Sequence, residues 1–576
     1  MATETTTFSI PVARSTVGRA SRTVSNAFTT DVKADNLDPD KLLSKFGKYG
    51  FFQMRTYILI NLASIFYATE TMVMSFIGED ADFECILNNN QDNYSISNDK
   101  CYITNLSTNQ TSYCGSNSLS HFFFNETVPK TVTSQFNLVC KDSVWVQHGT
   151  SIFMIGSAIA TPILTQLGDV YGRRLTFLIP LWLAALANIG VSASQNYYLF
   201  LIFRFISGFG TGAYIQIAQV LIIESVATEF RDVSPILANF TWFFGYSMVG
   251  VLRYFIDSWQ WLYFFLTAPG ILTFSYYWLI PESIHWLVQN NKTKKVDKYI
   301  RRSSKLNKKS VLLEECQKES TTNLSCDQSD TDSSSTNEIS RGFIEMLMTG
   351  KILFQLSIQC YIFILLNLTY WAISLYSTEL SEDPYKGYFL SGLVELPGGI
   401  LAYFLLKKYP RKPITIAGLS GQAIFMTAAI FFADKSVGSI ACILIVKSFN
   451  SVVWNSVPLM ASEMAPTTTR NRFYGICSFI GEFGSIIAPY IEEVKQIHQH
   501  GPAIIISLMT WVAIGAIMCA PETKNKPLPK DFDDFDEGPL LRFLKRKRQP
   551  TLPVKLEDKE SNLENDSMIK MNEKTP

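Results

Sequence analysis

The stretch GDVYGRRLTFLIPLWLAALANIGVSA, residues 168–193, joins a glycine- and arginine-rich turn to a run, 175–193, without one ionisable side chain. Such a run is about as long as a helix needs to cross a bilayer, near 20 apolar residues. Four more uncharged runs follow, at 259–280, 352–378, 414–433 and 501–520. Seven others, at 56–77, 144–167, 199–223, 233–252, 387–406, 436–462 and 473–491, hold at most two ionisable residues each. Together they predict twelve transmembrane helices in an all-α polytopic membrane protein. Composition agrees. Of 576 residues, 47% are apolar and only 17% charged, against about 25% charged in soluble domains. The 50 basic and 50 acidic residues cancel, which excludes a generally basic nucleic-acid binder and a disordered polyelectrolyte.

Lysine and arginine in short loops set orientation. Arg173, Arg174, Arg231, Lys407, Lys408, Arg411, Lys412, Arg470 and Arg472 fall on one side, with the basic stretch from Lys292 to Arg302. Both termini are therefore expected in the cytosol. The chain then divides into a cytosolic segment (1–53), a six-helix half (54–290), a cytosolic linker (291–350), a second six-helix half (351–521) and a cytosolic tail (522–576). The first segment, the Ser/Thr-rich stretch 303–340 and the tail are polar and read as mobile. The long outer loop, 79–143, carries Cys85, Cys101, Cys114 and Cys140 and glycosylation sequons at Asn93, Asn105, Asn109 and Asn125. Two disulfides are expected there, in one of three pairings.

Self-comparison shows a duplication. Glu224 precedes Arg231 by seven residues, as Glu463 precedes Arg470. Pro281-Glu282-Ser283 recurs as Pro521-Glu522-Thr523, and the turn at 168–174 recurs, worn, as Lys407-Lys408-Tyr409-Pro410-Arg411-Lys412. The offsets are 463 − 224 = 239, 521 − 281 = 240 and 411 − 173 = 238. Two parallel six-helix halves around a midplane site describe the major facilitator fold. Gly168 and Gly172 are expected to allow the tight turn, Asp169 to cap a helix, and Arg173 and Arg174 to bond carbonyls or carboxylates across the half interface, with Glu224, Arg231, Glu463 and Arg470 as matching partners. Such contacts would exist in one gating state and break in the other.

FNLVC at 136–140, GDVYGRR at 168–174, PESIHWL at 281–287, VELPG at 394–398, ASEMAPTTTRN at 461–471, GSIIAPY at 484–490 and PETKNKPLP at 521–529 resemble the organic ion transporter family of the major facilitator superfamily. The resemblance covers about residues 45–530. It departs at the worn YPRK motif, at the four loop cysteines, and at GEDADFEC (78–85), which lacks the family's Pro-Asp-His pattern.

Ionisable residues inside the bilayer cost about 2.5–3.5 kcal/mol each on insertion scales, so they are functional candidates. This chain has Glu70, Arg204, Glu395, Lys447 and Glu482. Arg204 and Lys447 take matching places in the two halves, which suits pairing or gating. Glu482 lies near the midplane, where a carboxylate attracts a cation; the alternative is a salt bridge with Lys447 or Arg204. The resemblance implies the cation-transporting branch, which carries acids at the positions of Glu482 and Glu395. It also places Tyr370 and Trp242 in the cation pocket and makes Asn239 and Asn455 polar pocket residues. Phe244 and Trp454 add aromatic faces, each able to hold an ammonium at about 0.5–2 kcal/mol.

The function this implies is transport of small organic cations across the plasma membrane by alternating access, as a potential-driven uniport. The sequence shows no nucleotide loop, metal cluster or nucleophile triad, so neither enzyme activity nor a cofactor is expected; the lipid bilayer is the other expected partner, and no nucleic acid is. The rival readings are a carrier of carnitine-like zwitterions or organic anions, which would need a basic pocket, and a receptor-like membrane protein that binds without flux.

Overall fold

The computed structural model describes residues 37–309 and 343–548, apart from 48, 80, 88–93, 107, 116–119, 125–129, 232, 434, 467–468, 527–528, 530–531 and 533. The first half holds α1 (Phe51–Met72, continued by Met74–Ile77), α2 (Val144–Tyr171), α3 (Arg173–Ser192), α4 (Tyr197–Ser225), α5 (Ser234–Phe255) and α6 (Trp259–Thr267). The second holds α7 (Gly350–Leu375), α8 (Pro384–Lys408, interrupted at Val394), α9 (Arg411–Ala429), α10 (Val437–Met464), α11 (Arg470–Ile487) and α12 (Gly501–Met518). Among the described residues ten helices are long and apolar enough to cross a membrane. The other two predicted spans fall short for local reasons. Pro269 opens a 3₁₀ stretch, Ala268–Ser275, that breaks α6, because proline lacks the N–H a helix needs. The 19 residues of α9 include Arg411, Lys412 and the buried, polar Thr415 and Gln422.

Each half has its own apolar core. Phe177, Leu181, Tyr214 and Leu221 belong to the first, and Leu366, Leu419, Val453 and Met460 to the second. A third cluster bridges the halves, joining Phe76, Tyr246 and Trp259 to Trp371, Tyr388 and Ile491. Helices approach closely where side chains vanish. A Cβ on Gly208 of α4 would stand 2.0 Å from the Phe153 carbonyl of α2, and one on Gly484 of α11 would stand 2.2 Å from the Ile364 carbonyl of α7. Small residues at membrane helix contacts have this effect.

The long loop departs from the all-α expectation. It forms two small antiparallel sheets: β1 (Phe83–Leu87) with β5 (Ser120–Phe124), and β2 (Tyr94–Ile96), β3 (Tyr102–Asn105) and β4 (Thr111–Tyr113) in order. The cysteines pair Cys85–Cys114 and Cys101–Cys140. The second bond ties the strands to the head of α2. Asn109 is exposed between β3 and β4, whereas the Asn105 amide donates to the Tyr94 hydroxyl. Asn93 and Asn125 lie outside the described residues.

Parts of the polar segments are packed rather than loose. Asp38 caps a short helix, Pro39–Lys45, whose Leu42 and Leu43 are buried with Phe46, Phe52, Ile284, Trp286 and Ile300. The linker starts as a helix, Thr293–Asn307, on the same core. In the tail, Phe532 and Phe535 join the core of the second half.

Candidate functional site

The intramembrane acids and aromatics converge where α1, α5, α7, α8, α10 and α11 meet. Tyr370 of α7 donates to both oxygens of Glu395, at 3.2 and 3.3 Å. Its ring faces Trp454 at 6.2 Å and Trp242 at 6.4 Å, and Trp242 in turn meets Tyr67 of α1 at 5.2 Å. These spacings suit aromatic pairs. The break in α8 at Val394 puts Glu395 in the first turn of the second segment.

Glu395 does not stand alone. Lys447 Nζ lies 2.8 Å from its Oε1 and 2.7 Å from Ser391 Oγ, and sits over the rings of Tyr246 and Tyr370 at 5.0 and 5.5 Å. The lysine side chain is fully buried. Its counterpart in the first half, Arg204, is equally buried. It donates to the carbonyls of Gly149 (3.2 Å) and Glu70 (3.1 Å) and to the Tyr263 hydroxyl, and stacks on Phe153 at 4.5 Å. Glu70 accepts from Thr211. Thus neither cation reaches Glu482. Tyr67 lies within electrostatic range of that carboxyl. No basic side chain is paired with it among the described residues.

The other sequence candidates fall on both sides of this cluster. Asn239 packs on Gly399, whose Cβ would meet its Nδ2 at 2.3 Å, and so places α5 against α8. Asn455 donates to its own helix, to Ser451 at 2.8 Å. Phe244 is not brought in. Two residues on from Trp242 it is turned by about 200°, and it lies exposed on one stripe with Leu237, Phe240 and Val251. The residues missed by sequence are Tyr67 and Tyr246. The second was within reach of a spacing argument, since it follows Trp242 by four and therefore shares its face.

Hydrogen bonds between the halves gather at the end that carries the strands. Tyr246 and Ser377 join through their hydroxyls at 3.1 Å, Tyr388 donates to the Tyr246 carbonyl at 2.9 Å, and Thr378 donates to the Ser75 carbonyl at 3.2 Å. Ser151 donates to the Ile486 carbonyl at 2.9 Å, and Tyr490 meets His148 at 3.0 Å. Tyr246 and Tyr388 are stacked at 4.3 Å. A separate pocket of about 260 Å³ lies outside this latch, lined by Glu79, Glu379, Glu492, Glu493 and Lys495; the predicted binding residues do not line it.

At the opposite end the duplicated motifs close within each half, not across the interface as the sequence suggested. Arg173 bonds Asp169 (2.6 Å) and Glu224 (3.4 Å). Arg411 bonds Glu463 at 3.0 Å, so the worn copy keeps the central ion pair. Gly172, at φ +102°, makes the turn between α2 and α3, while Gly168 sits inside α2 against Thr176. Asp169 is within the helix and does not cap. That task falls to Glu282, which accepts from the Arg174 N–H at 2.9 Å, and to Glu522, which accepts from those of Arg411 and Lys412 at 3.0 Å. Arg174 donates to the Tyr277 carbonyl. Arg231 does not pair with Glu224 but with Asp40 of the N-terminal helix, at 2.6 Å. Arg470 does not pair with Glu463; its Nε and one terminal nitrogen are buried without a bond among the described residues. Asp40 also meets His285 at 3.0 Å. Burial pushes its carboxyl up, but Arg231 and His285 outweigh that and hold it below the usual carboxylate range.

The sugar (and other) transporter family model matches residues 81–532. A Caenorhabditis elegans protein named as a transporter is 29% identical over 506 residues, covering 87% of this chain and 84% of its own length. The organic cation transporter protein of Drosophila melanogaster is 25% identical, covering 86% of this chain and 94% of that one. Solute carrier family 22 member 2 of mouse is 25% identical, covering 74% and 76%. Among solved structures, the inward-open xylose transporter XylE of Escherichia coli superposes with TM-score 0.57 at 16% identity, covering 83% of this chain and 98% of that one. At that identity the likeness speaks for the fold alone.

Proposed function

Since the chain belongs to the sugar (and other) transporter family and is a multi-pass membrane transporter, we propose that its cargo is a small organic cation, moved by alternating access as a potential-driven uniport. One observation supports this reading: Glu482 is a half-buried carboxyl with no basic partner among the described residues, near Tyr67, whose ring leads through Trp242 to Tyr370 and Trp454. A monovalent ammonium completes that charge balance. Ring faces hold it at about 0.5–2 kcal/mol per contact. Glu395 is the secondary acid, already balanced by Lys447. An anion or zwitterion carrier would need a disengaged basic group beside these rings; there Lys447 is paired with Glu395, and Arg204 is bonded to the Gly149 and Glu70 carbonyls. The name of the fly relative favours the same cargo.

The latch at the strand end supports a state closed on that side. The disulfides favour placing that side outside the cell, and with it the plasma membrane as location and cytosolic termini. Rocking about the site would break the Tyr246, Ser377 and Thr378 bonds and bring the motif ends together. A membrane potential contributes about 2.3 kcal/mol per charge per 100 mV, so a monovalent cation would concentrate roughly 50-fold per 100 mV.

Uptake of labelled tetraethylammonium at clamped potential, in cells expressing the chain or its Glu482→Arg variant at equal surface density, tests the reading. Saturable, voltage-dependent uptake that the variant lacks is the expected result. Carnitine or a carboxylate moved in its place would refute the charge argument. Binding without any flux would favour a receptor-like protein.

A further inference from the structure

Helix Thr293–Asn307 buries Val296, Tyr299, Ile300 and Ser303 on one face. At 100° per residue the opposite arc holds Lys294, Lys298, Arg301 and Lys305, with Lys295 and Arg302 at its edge. All six are exposed. The one acid of the helix, Asp297, is bonded to Arg301 at 2.9 Å. A helix of this length spans about 22 Å, so these cations repel one another unless anions lie against them.

Its depth is fixed by the end of the sixth span. Three guanidiniums bond three successive carbonyls there: Arg174 that of Tyr277, Arg302 that of Trp278 at 2.9 Å, and Arg55 that of Leu279 at 3.0 Å. The rings of Tyr277 and Trp278 are exposed beside them. Aromatic rings at the end of an apolar span sit at headgroup level. Arg302 therefore holds the edge of the basic arc at the plane of the lipid phosphates. We propose that this face is a binding site for anionic phospholipid headgroups of the inner leaflet, with Arg302, Lys298 and Lys295 nearest the lipid. Phosphate suits the partner chemistry: arginine meets it bidentately and lysine as a point charge. The inference rests on the proposed orientation, with this end cytosolic, but not on the nature of the cargo.

The test is native mass spectrometry of the full-length chain in detergent, titrated with phosphatidylinositol 4,5-bisphosphate or with phosphatidylcholine. The anionic lipid is expected to bind saturably and phosphatidylcholine far more weakly. Each lysine near a charged surface is worth about fivefold. A Lys295→Gln, Lys298→Gln variant should thus weaken binding roughly 25-fold, while the matching double change to arginine keeps it. These side chains are exposed, so both variants should fold. Equal binding of the two lipids, or full binding by the glutamine variant, would overturn the site and direct attention to the basic tail helix Gly538–Arg548. Displacement by inositol trisphosphate at the same concentration as the lipid would overturn the lipid in favour of a free phosphate. Lipid binding is read without transport, so loss of tetraethylammonium uptake and loss of this site are separate results.

Discussion

Glu395 and Lys447 are both taken out of water, and their charges are tolerable only together. Removing one partner of a buried pair costs about 3–5 kcal/mol, because the other charge is left uncompensated. Lys447→Met alone or Glu395→Gln alone should lower the melting temperature of the detergent-solubilised protein sharply. The double variant should recover most of the loss. Additive losses would mean that the 2.8 Å contact contributes little. The sequence made these residues legible because an ionisable side chain in an apolar run is conspicuous. It did not show who pairs with whom: Lys447 was as plausible a partner for Glu482, and only the break in α8 brings Glu395 to it. Tyr67 and Tyr246 were hidden for another reason. A tyrosine in a span has no signature until the helices assemble. Phe244 shows the converse, an aromatic near the right position on the wrong face of its helix.

Among elements, the constant offset near 239 residues predicted repeated geometry, and it held more closely than the motif wear implied. Arg411 reaches Glu463 as Arg173 reaches Glu224, and Glu282 and Glu522 cap equivalent helices. Arg231, at the end of the first motif, does not meet Glu224 because its partner lies elsewhere. Arg231 is claimed by Asp40, 191 residues away, in a segment whose polarity suggested a loose tail. Four apolar residues, Leu37, Leu42, Leu43 and Phe46, decide otherwise. The docking of Pro39–Lys45 should depend on pH. The folded carboxyl of Asp40 is held below its unfolded value, so its contribution is present above about pH 4 and is lost as pH falls through the lower, folded value. The protection of residues 39–45 against hydrogen exchange, taken relative to the rate of the unstructured chain at each pH, should fall in acid more than that of α3. In Asp40→Asn that protection should be low already at neutral pH and change little with pH. An unchanged exchange rate in the variant would show that the apolar contacts alone hold the helix.

At the scale of the whole molecule, two similar halves share one bridging core and one set of latch bonds, both toward the strands. A protein that transports by rocking cannot keep that latch through a cycle. A covalent bond across it should therefore stop flux without disturbing the site below. Thr378 and Ser75 are suited to this, since the Thr378 hydroxyl lies 3.2 Å from the Ser75 carbonyl, which puts the two residues in contact across the latch. A Ser75→Cys, Thr378→Cys protein should move tetraethylammonium when reduced, lose uptake on mild oxidation, and regain it with a thiol reductant. Each single cysteine should be insensitive to the same treatment. Because the latch lies on the far side of Tyr370 from the ion-pair motifs, the oxidised protein should still bind the cation from the motif end, and equilibrium binding to inverted membrane vesicles would measure this. Loss of flux with binding retained is what a locked half-cycle requires. Continued flux in the cross-linked protein would mean that the halves do not separate at the strands, and the path would have to run between them without alternating access.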